Sequence, residues 1–201
     1  MYVPRQFAES DPERVRRSVD AWPFATLFTA GTLGPFASHV PLLRDGDRLV
    51  GHLARANPQV GELGGTVLCV FHGPHAMIRS DWYASPAVQV PTWNYAAVHA
   101  TGTARVLEDP LPVIDRLMQR FQPTERIPSG EGERDRFVAG LARAIVAFEV
   151  RVERWEGKVK LSQNRDPEDR RRVREALRAR GDPDDLAVAA WMDELEGSRG
   201  S

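Results

Sequence analysis

Apolar side chains along this chain alternate between a spacing of two and a spacing of three to four, the respective signatures of strand and helix. Asp11-Pro12 supplies an N-cap followed by proline at the first helical position, and Val15, Val19 and Trp22 mark one face of a short helix that Pro23 ends. Extended segments are expected at 24–29, 36–43 and 48–53, separated by Gly31, by Gly34-Pro35 and by the hairpin signal Arg44-Asp45-Gly46-Asp47. A helical turn is expected between Ala54 and Leu63, closed by Gly64-Gly65. Residues 66–71 are apolar at nearly every position, as in a strand covered on both faces, and Gly73-Pro74 suggests a turn into another strand at 75–79. An ordered, aromatic loop follows over 80–92, then a long strand over 93–106, broken or bent at Gly102.

Asp109-Pro110 opens a helix through Val113, Ile114, Leu117, Met118 and Phe121. A polar loop over 123–133 leads to a second helix over 134–145, with Phe137, Val138, Leu141 and Ala144 inward. Phe148, Val150 and Val152 alternate with charged neighbours, which predicts a strand with one wet and one dry face. Asp166-Pro167-Glu168-Asp169 and Asp182-Pro183-Asp184-Asp185 then repeat one helix-starting device, with Gly181 as the break. The first of these helices is arginine-rich with Val173 and Leu177 inward; the second is apolar through Leu186, Ala190 and Trp191. Six or seven strands with short helices and no βαβ repeat predict a mainly β protein with peripheral helices (α+β), its sheet an antiparallel barrel. The expected organisation is a body over 1–165, a helical pair over 166–196 and a frayed tail over 197–201.

The 201 residues suffice for one full core, and the formal charge of −1 argues against attachment to nucleic acid through the overall field. The first twenty residues lack the apolar stretch of a secretory peptide, and no apolar run is long enough to span a membrane, so a cytoplasmic location is expected. A single cysteine, Cys69, sits among Val67, Leu68, Val70 and Phe71, the setting of a buried small hydrophobe. The five histidines show no metal-ligand spacing, so no metal site is expected. Ser38-His39 would point to opposite faces of a strand and cannot act as a nucleophile–base pair. Nucleotide-binding glycine loops are absent, and no catalytic residue is assigned.

Three features carry candidate chemistry. The stretch His52-Leu53-Ala54-Arg55-Ala56-Asn57-Pro58 runs from a strand end into a helical turn, where backbone N–H groups and Arg55 can hold a phosphate; a basic turn capped by Asn57 reads the same way. Trp82-Tyr83 and Trp93-Asn94-Tyr95 either close one end of a barrel or wall a pocket for a flat ligand. A single-stranded nucleic-acid platform would want interleaved arginines, and residues 82–104 contain none. The 27 basic side chains include only two lysines, Lys158 and Lys160, set two positions apart. In the tail, Arg170, Arg174 and Arg178 stack on one helix face, but the helix after Gly181 begins with acids, unlike a recognition helix.

The strings His52–Pro58, Phe71-His-Gly-Pro-His75, Val90-Pro-Thr-Trp-Asn-Tyr95 followed by Val98-His99, and Glu156-Gly-Lys-Val-Lys-Leu-Ser-Gln-Asn164 resemble the PaiB-like family, described as FMN-binding negative transcriptional regulators. Met1-Tyr2-Val3-Pro4, Phe7 and the stretch Pro23 to Leu27 resemble it too, so the likeness covers residues 1–180. It implies an FMN-binding split β-barrel with a C-terminal helical extension, a homodimer with FMN at the subunit boundary, and a phosphate grip at Arg55, Asn57 and Pro58, with Ala54 in the same turn. Lys158 and Lys160 match the family's C-terminal motif. Where the family often has Ile-Ser-Pro-x-Trp-Tyr, this chain reads Ile78-Arg79-Ser80-Asp81-Trp82-Tyr83. Around the flavin implied in this way, Trp82 and Trp93 are candidates to cover the ring, and His39, His52 and Lys158 to stabilise its reduced anion. The expected function is an FMN-holding regulator whose flavin turns over slowly, with DNA as a weaker candidate partner; the alternative is an FMN-dependent oxidoreductase, either a flavin reductase or oxidase-like.

Overall fold

Eight strands hydrogen-bond into one sheet in the computed structural model of the chain, which describes residues 1–122, 132, 140 and 142–197. The strands are β1 (Ala8–Glu9), β2 (Phe24–Gly31), β3 (Gly34–Pro41), β4 (Leu43–Asp45), β5 (Arg48–Ala54), β6 (Thr66–Ile78), β7 (Thr92–Val106) and β8 (Ile145–Lys160). Their order is β3-β2-β6-β7-β8-β5-β4, with β1 pairing beside β8. Four α-helices lie wholly among the described residues: α1 (Pro12–Ala21), α2 (Leu111–Phe121), α3 (Pro167–Arg180) and α4 (Pro183–Gly197). Two compact units divide the chain, one comprising Arg16–Phe71 and His99–Trp155, the other Met1–Val15, His72–Val98 and Glu156–Ser201.

In the first unit β2 and β3 form a hairpin in which Thr26 faces His39 and Leu27 faces Ser38. Residues 25–28 of β2 also pair with β6, placing Leu27 opposite Cys69. Leu27, Leu42, Leu49, Cys69, Phe71 and Phe148 are fully or almost fully withdrawn from water. Burial pushes the Cys69 thiol up to about 12, so it serves as packing rather than as a nucleophile. The hairpin read from Arg44-Asp45-Gly46-Asp47 is present, with Gly46 at φ 62° and Asp45 paired to Arg48. Val50 and Ala147 pack against Val113 and Leu117 of α2, which covers a second face of this part of the sheet.

That cover explains one departure from the sequence pattern. Residues 146–150 of β8 are all buried, where alternation suggested one wet face. Glu149 is tolerated there because its carboxylate accepts from Arg105 Nε at 2.6 Å and Arg48 Nη1 at 3.3 Å. Residues 66–71 and 75–79, expected as two strands, belong to the continuous β6, which ends at Ile78. The residue before a proline favours extended backbone, so Gly73-Pro74 suits a strand as well as a turn. Likewise β7 passes through Gly102 unbroken, and residues 36–43 divide between β3 and β4 around Leu42. The helix expected over 134–145 and the loop over 123–133 lie largely outside the described residues, as does the tail beyond 197; Ile145 already belongs to β8.

In the second unit β1 lies on β8 with Glu9 opposite Gly157, where a Cβ would meet the Glu9 Cβ at 2.9 Å. Asp166 caps α3 by accepting from the Asp169 N–H at 2.8 Å, and Gly181 ends it in the left-handed region at φ 80°. Val173 and Leu177 are buried as their spacing required. The inward face of α4 is Asp185, Val188, Ala189 and Met192, whereas Leu186 and Ala190 are exposed. The Asp185 carboxylate is buried against Arg180, and Val188, Ala189 and Met192 supply the apolar part of the inward face. Among the described residues, no helix is long and apolar enough to cross a membrane.

Candidate functional site

The turn leaving β5 is held from three sides. Arg55 donates its backbone N–H to Ala144 O at 2.8 Å, its Nε to Arg143 O at 2.7 Å and its Nη2 to Ile145 O at 2.8 Å. Asn57 caps the following 3-10 turn, Pro58–Glu62, by accepting from the Gln59 N–H at 2.9 Å, and donates Nδ2 to Ser38 Oγ at 2.8 Å. Gln59, fully buried, donates to Leu27 O at 3.1 Å and to Thr29 Oγ1 at 3.2 Å, riveting the turn to the β2–β3 hairpin. Nothing in the local sequence marks Gln59 or Ser38. A buried glutamine is recognisable only once the carbonyls it satisfies are in place.

These bonds narrow how the turn can hold an anion. The backbone N–H groups of Arg55, Asn57, Gln59 and Val60 all donate within the protein, so these four are not offered to an anion and the Arg55 side chain becomes the principal donor. Two of the five guanidinium N–H groups of Arg55 are used on carbonyls, which orients the fork and leaves three for a ligand. His52 and Ala54 share a face of β5 two residues apart. His52 Nδ1 is buried without a partner, and burial moves the imidazole below its ordinary pKa, so the ring is neutral at pH 7. An oriented guanidinium beside a strand end with an orphaned ring nitrogen fits a phosphate-bearing cofactor such as FMN.

His39 stands apart from this turn. It is exposed on β3, with Nδ1 3.1 Å from Thr26 Oγ1 and its ring 6.3 Å from that of Phe24. Strand alternation sends it to the face opposite Ser38, the partner of Asn57.

The other candidate residues belong to the second unit. Lys158 and Lys160 are two apart on β8 and half-buried, while Gly157 and Val159 between and before them are buried. Lys158 Nζ donates to Tyr2 O at 3.1 Å and lies 5.7 Å from the Tyr2 ring and 5.3 Å from the Tyr95 ring. Lys160 Nζ donates to Thr92 Oγ1 and to Trp93 O. Desolvation, helped by the charges of Lys158 and Arg165, holds its ammonium below the ordinary lysine value. Trp93 is half in solvent, 5.9 Å from the His75 ring. Asn94, pointing the other way, is buried in mutual hydrogen bonds with Ser162.

Trp82 has a different neighbourhood. The Arg180 guanidinium lies 5.0 Å from its ring, and Arg165 lies 4.7 Å from the buried Tyr83. The arginines missing from residues 82–104 therefore arrive from the C-terminal segment. Asp169 accepts from the Ala84 N–H at 2.8 Å, tying α3 to the aromatic loop, and Arg180 donates to Met77 O at 3.2 Å, near the end of β6. Ser80 stands where the family often has proline, the neighbouring Arg79 grips Asp81 through two hydrogen bonds of 2.9 and 2.7 Å, and the loop forms a 3-10 turn at Ser80–Trp82. The arginines of α3 are paired within the chain: Arg170 and Arg174 with Glu196, Arg178 with Asp193, Arg180 with Asp185, and Arg171 and Arg172 with Glu168.

The architecture is that of the flavin-binding split β-barrels. It resembles the flavocytochrome Anf3 from Azotobacter vinelandii with a TM-score of 0.66 and 20% identity, over 84% of this chain and 77% of that one. It also resembles an FAD and heme binding protein from Mycobacterium smegmatis, with a TM-score of 0.58 and 22% identity over 76% of this chain and 73% of that one. The family model described as "Putative FMN-binding domain" matches residues 1–154. Protease synthase and sporulation protein PAI 2 of Bacillus subtilis (strain 168) is 33% identical over 210 residues, covering 96% of this chain and 97% of that protein. The chain belongs to the PaiB-like family of FMN-binding proteins, and FMN is its cofactor.

Proposed function

We propose that the chain acts as a homodimeric, FMN-holding negative regulator of transcription, with the flavin phosphate gripped by Arg55. The observation that carries the flavin-holding part of this reading is the Arg55 fork, fixed by two carbonyls with three N–H groups left for a phosphate, while the dimer and the regulatory role rest on the family resemblance. His52 and Ala54 share the grip, one offering a neutral ring nitrogen and the other a small side chain that admits the ligand, while Asn57 keeps the turn in shape. When bound, FMN supplies one- and two-electron chemistry. Trp82, Trp93, Lys158 and Lys160, all of the second unit, are separate candidates for flat and cationic contacts with a flavin, and Lys158 suits a reduced flavin anion. Residues 1–165 form the flavin-binding body in this reading, and 166–196 a helical extension that holds the aromatic loop. Protein loaded with FMN and desalted should retain about one flavin per chain, and light scattering should give twice the mass of one chain. A monomer that still holds FMN would remove the dimer from the proposal.

A regulator need not touch DNA through α3, whose arginines already face carboxylates of their own chain. Fluorescence anisotropy with duplex DNA between about 50 and 200 mM salt should show no binding attributable to this helix. Loss of a salt-dependent signal in Arg170→Ala/Arg174→Ala would establish the opposite.

A second reading, FMN-dependent oxidoreductase, is favoured by the unpartnered, neutral His52 nitrogen, which could exchange a proton. No acid–base partner of His52 stands beside it in the sequence, and NADH or NADPH should reduce the bound flavin more slowly than about 0.1 s⁻¹, against ~1–10³ s⁻¹ for enzymes. Anaerobic stopped-flow absorbance near 450 nm measures this rate. Reduction faster than ~1 s⁻¹, with reoxidation and no loss of flavin, would make the protein a reductase.

A further inference from the structure

A cavity of about 340 Å³ in the first unit is bounded by the end of α1, the β3–β4 junction and α2. Pro23, the fully buried Leu42 and the half-buried Leu43 give it an apolar floor. Arg44, Arg116 and Arg120 bring three guanidinium groups to its wall, and Asp20 is the lining carboxylate among the described residues.

The hydrogen bonds around it orient the three guanidinium groups. Arg44 is engaged by Asp20 through Nε at 3.1 Å and Nη2 at 2.7 Å. Arg116 donates Nη1 to Asp45 Oδ2 at 3.0 Å and Nη2 to Arg44 O at 3.3 Å. Arg120 donates Nη2 to Asp20 O at 3.1 Å, a carbonyl and not a carboxylate. Among the described residues Asp20 pairs with Arg44 and Asp45 with Arg116, while Arg120 is bonded to a carbonyl. Arg116 and Arg120 also stand one turn apart on α2, a spacing at which like charges repel. Each is steered by a backbone carbonyl while keeping donors in its fork for another partner.

We propose that this cavity binds a small organic anion, with a carboxylate or phosphate head on the Arg116–Arg120 forks and a compact apolar body on the Pro23–Leu42–Leu43 floor. Its size lies near the lower limit of small-molecule sites, about 300–1,000 Å³, which suits one ring or a short acyl chain. Carboxylate and phosphate present the same paired oxygens to a guanidinium, so the head is left to experiment.

The test is calorimetric titration of the FMN-loaded full chain with benzoate, phenyl phosphate and inorganic phosphate. At least one aromatic anion should bind with a Kd at or below about 1 mM and weaken as salt rises. Inorganic phosphate should bind at least roughly tenfold more weakly, since it makes no use of the floor. The stronger of the two aromatic anions identifies the head. Arg120→Gln should weaken that binding about tenfold or more, and Gln119→Trp, which fills the cavity while keeping its charges, should abolish it. Flavin absorbance and circular dichroism should be unchanged in both variants, which separates failure of this site from failure of FMN binding. No heat with either aromatic anion at about 5 mM, or undiminished affinity in both variants, would overturn the proposal. Inorganic phosphate binding as tightly as phenyl phosphate would overturn the assignment of an organic ligand.

Discussion

Arg55→Ala is expected to weaken FMN binding by about 1.5–3 kcal/mol, the range for losing a hydrogen bond to a charged group. That corresponds to roughly a tenfold to 150-fold rise in Kd, read from quenching of FMN fluorescence during titration. The side chain has a second task, because its Nε and Nη2 tie the end of β5 to Arg143 O and Ile145 O. The variant should therefore also unfold at a lower temperature without ligand, and affinity must be measured well below that transition. Arg55→Lys separates the two roles. An ammonium retains the charge but cannot serve two carbonyls and a phosphate together, so its FMN affinity should fall between those of the wild type and the alanine variant. Unchanged affinity in a folded Arg55→Ala protein would move the phosphate elsewhere.

The parts of this molecule that were legible in the sequence are those governed by neighbours along the chain. Asp11-Pro12, Asp166-Pro167 and Asp182-Pro183 each announced a helix, because an N-cap and a proline act within one turn. Gly46 announced a hairpin for the same local reason. The turn after β5 was legible through Arg55, Asn57 and Pro58, and its capping by Asn57 is present. What was not legible depends on partners far along the chain. Gln59 satisfies carbonyls about thirty residues away, and Glu149 sits in an apolar stretch because Arg48 and Arg105 reach it. The α3 arginines resembled an exposed basic face, yet their partners Asp193 and Glu196 lie in the next helix. Charge spacing along one helix cannot reveal what the following helix brings to it.

The same limit applies to Gly102, where the sequence suggested a bend and the structure has an uninterrupted β7. A Cβ built at this position would lie 2.1 Å from Arg151 O, 2.8 Å from Arg151 C and 2.9 Å from Val152 Cα. All three atoms belong to the backbone of β8, so no flexible side chain can swing aside. Relief requires the two strands to separate where they carry the sheet. Gly102→Ala should therefore cost on the order of 3 kcal/mol, the upper part of the range for overpacking a filled interior. For a chain of this size that lowers the melting temperature by about 6–12 °C. Gly61→Ala is the control, since nothing lies within 4 Å of the Cβ it would add. It should stay within about 0.5 kcal/mol of the parent. Urea unfolding followed by tryptophan fluorescence would compare them, and a Gly102→Ala protein as stable as Gly61→Ala would mean that β7 and β8 do not approach so closely at this point.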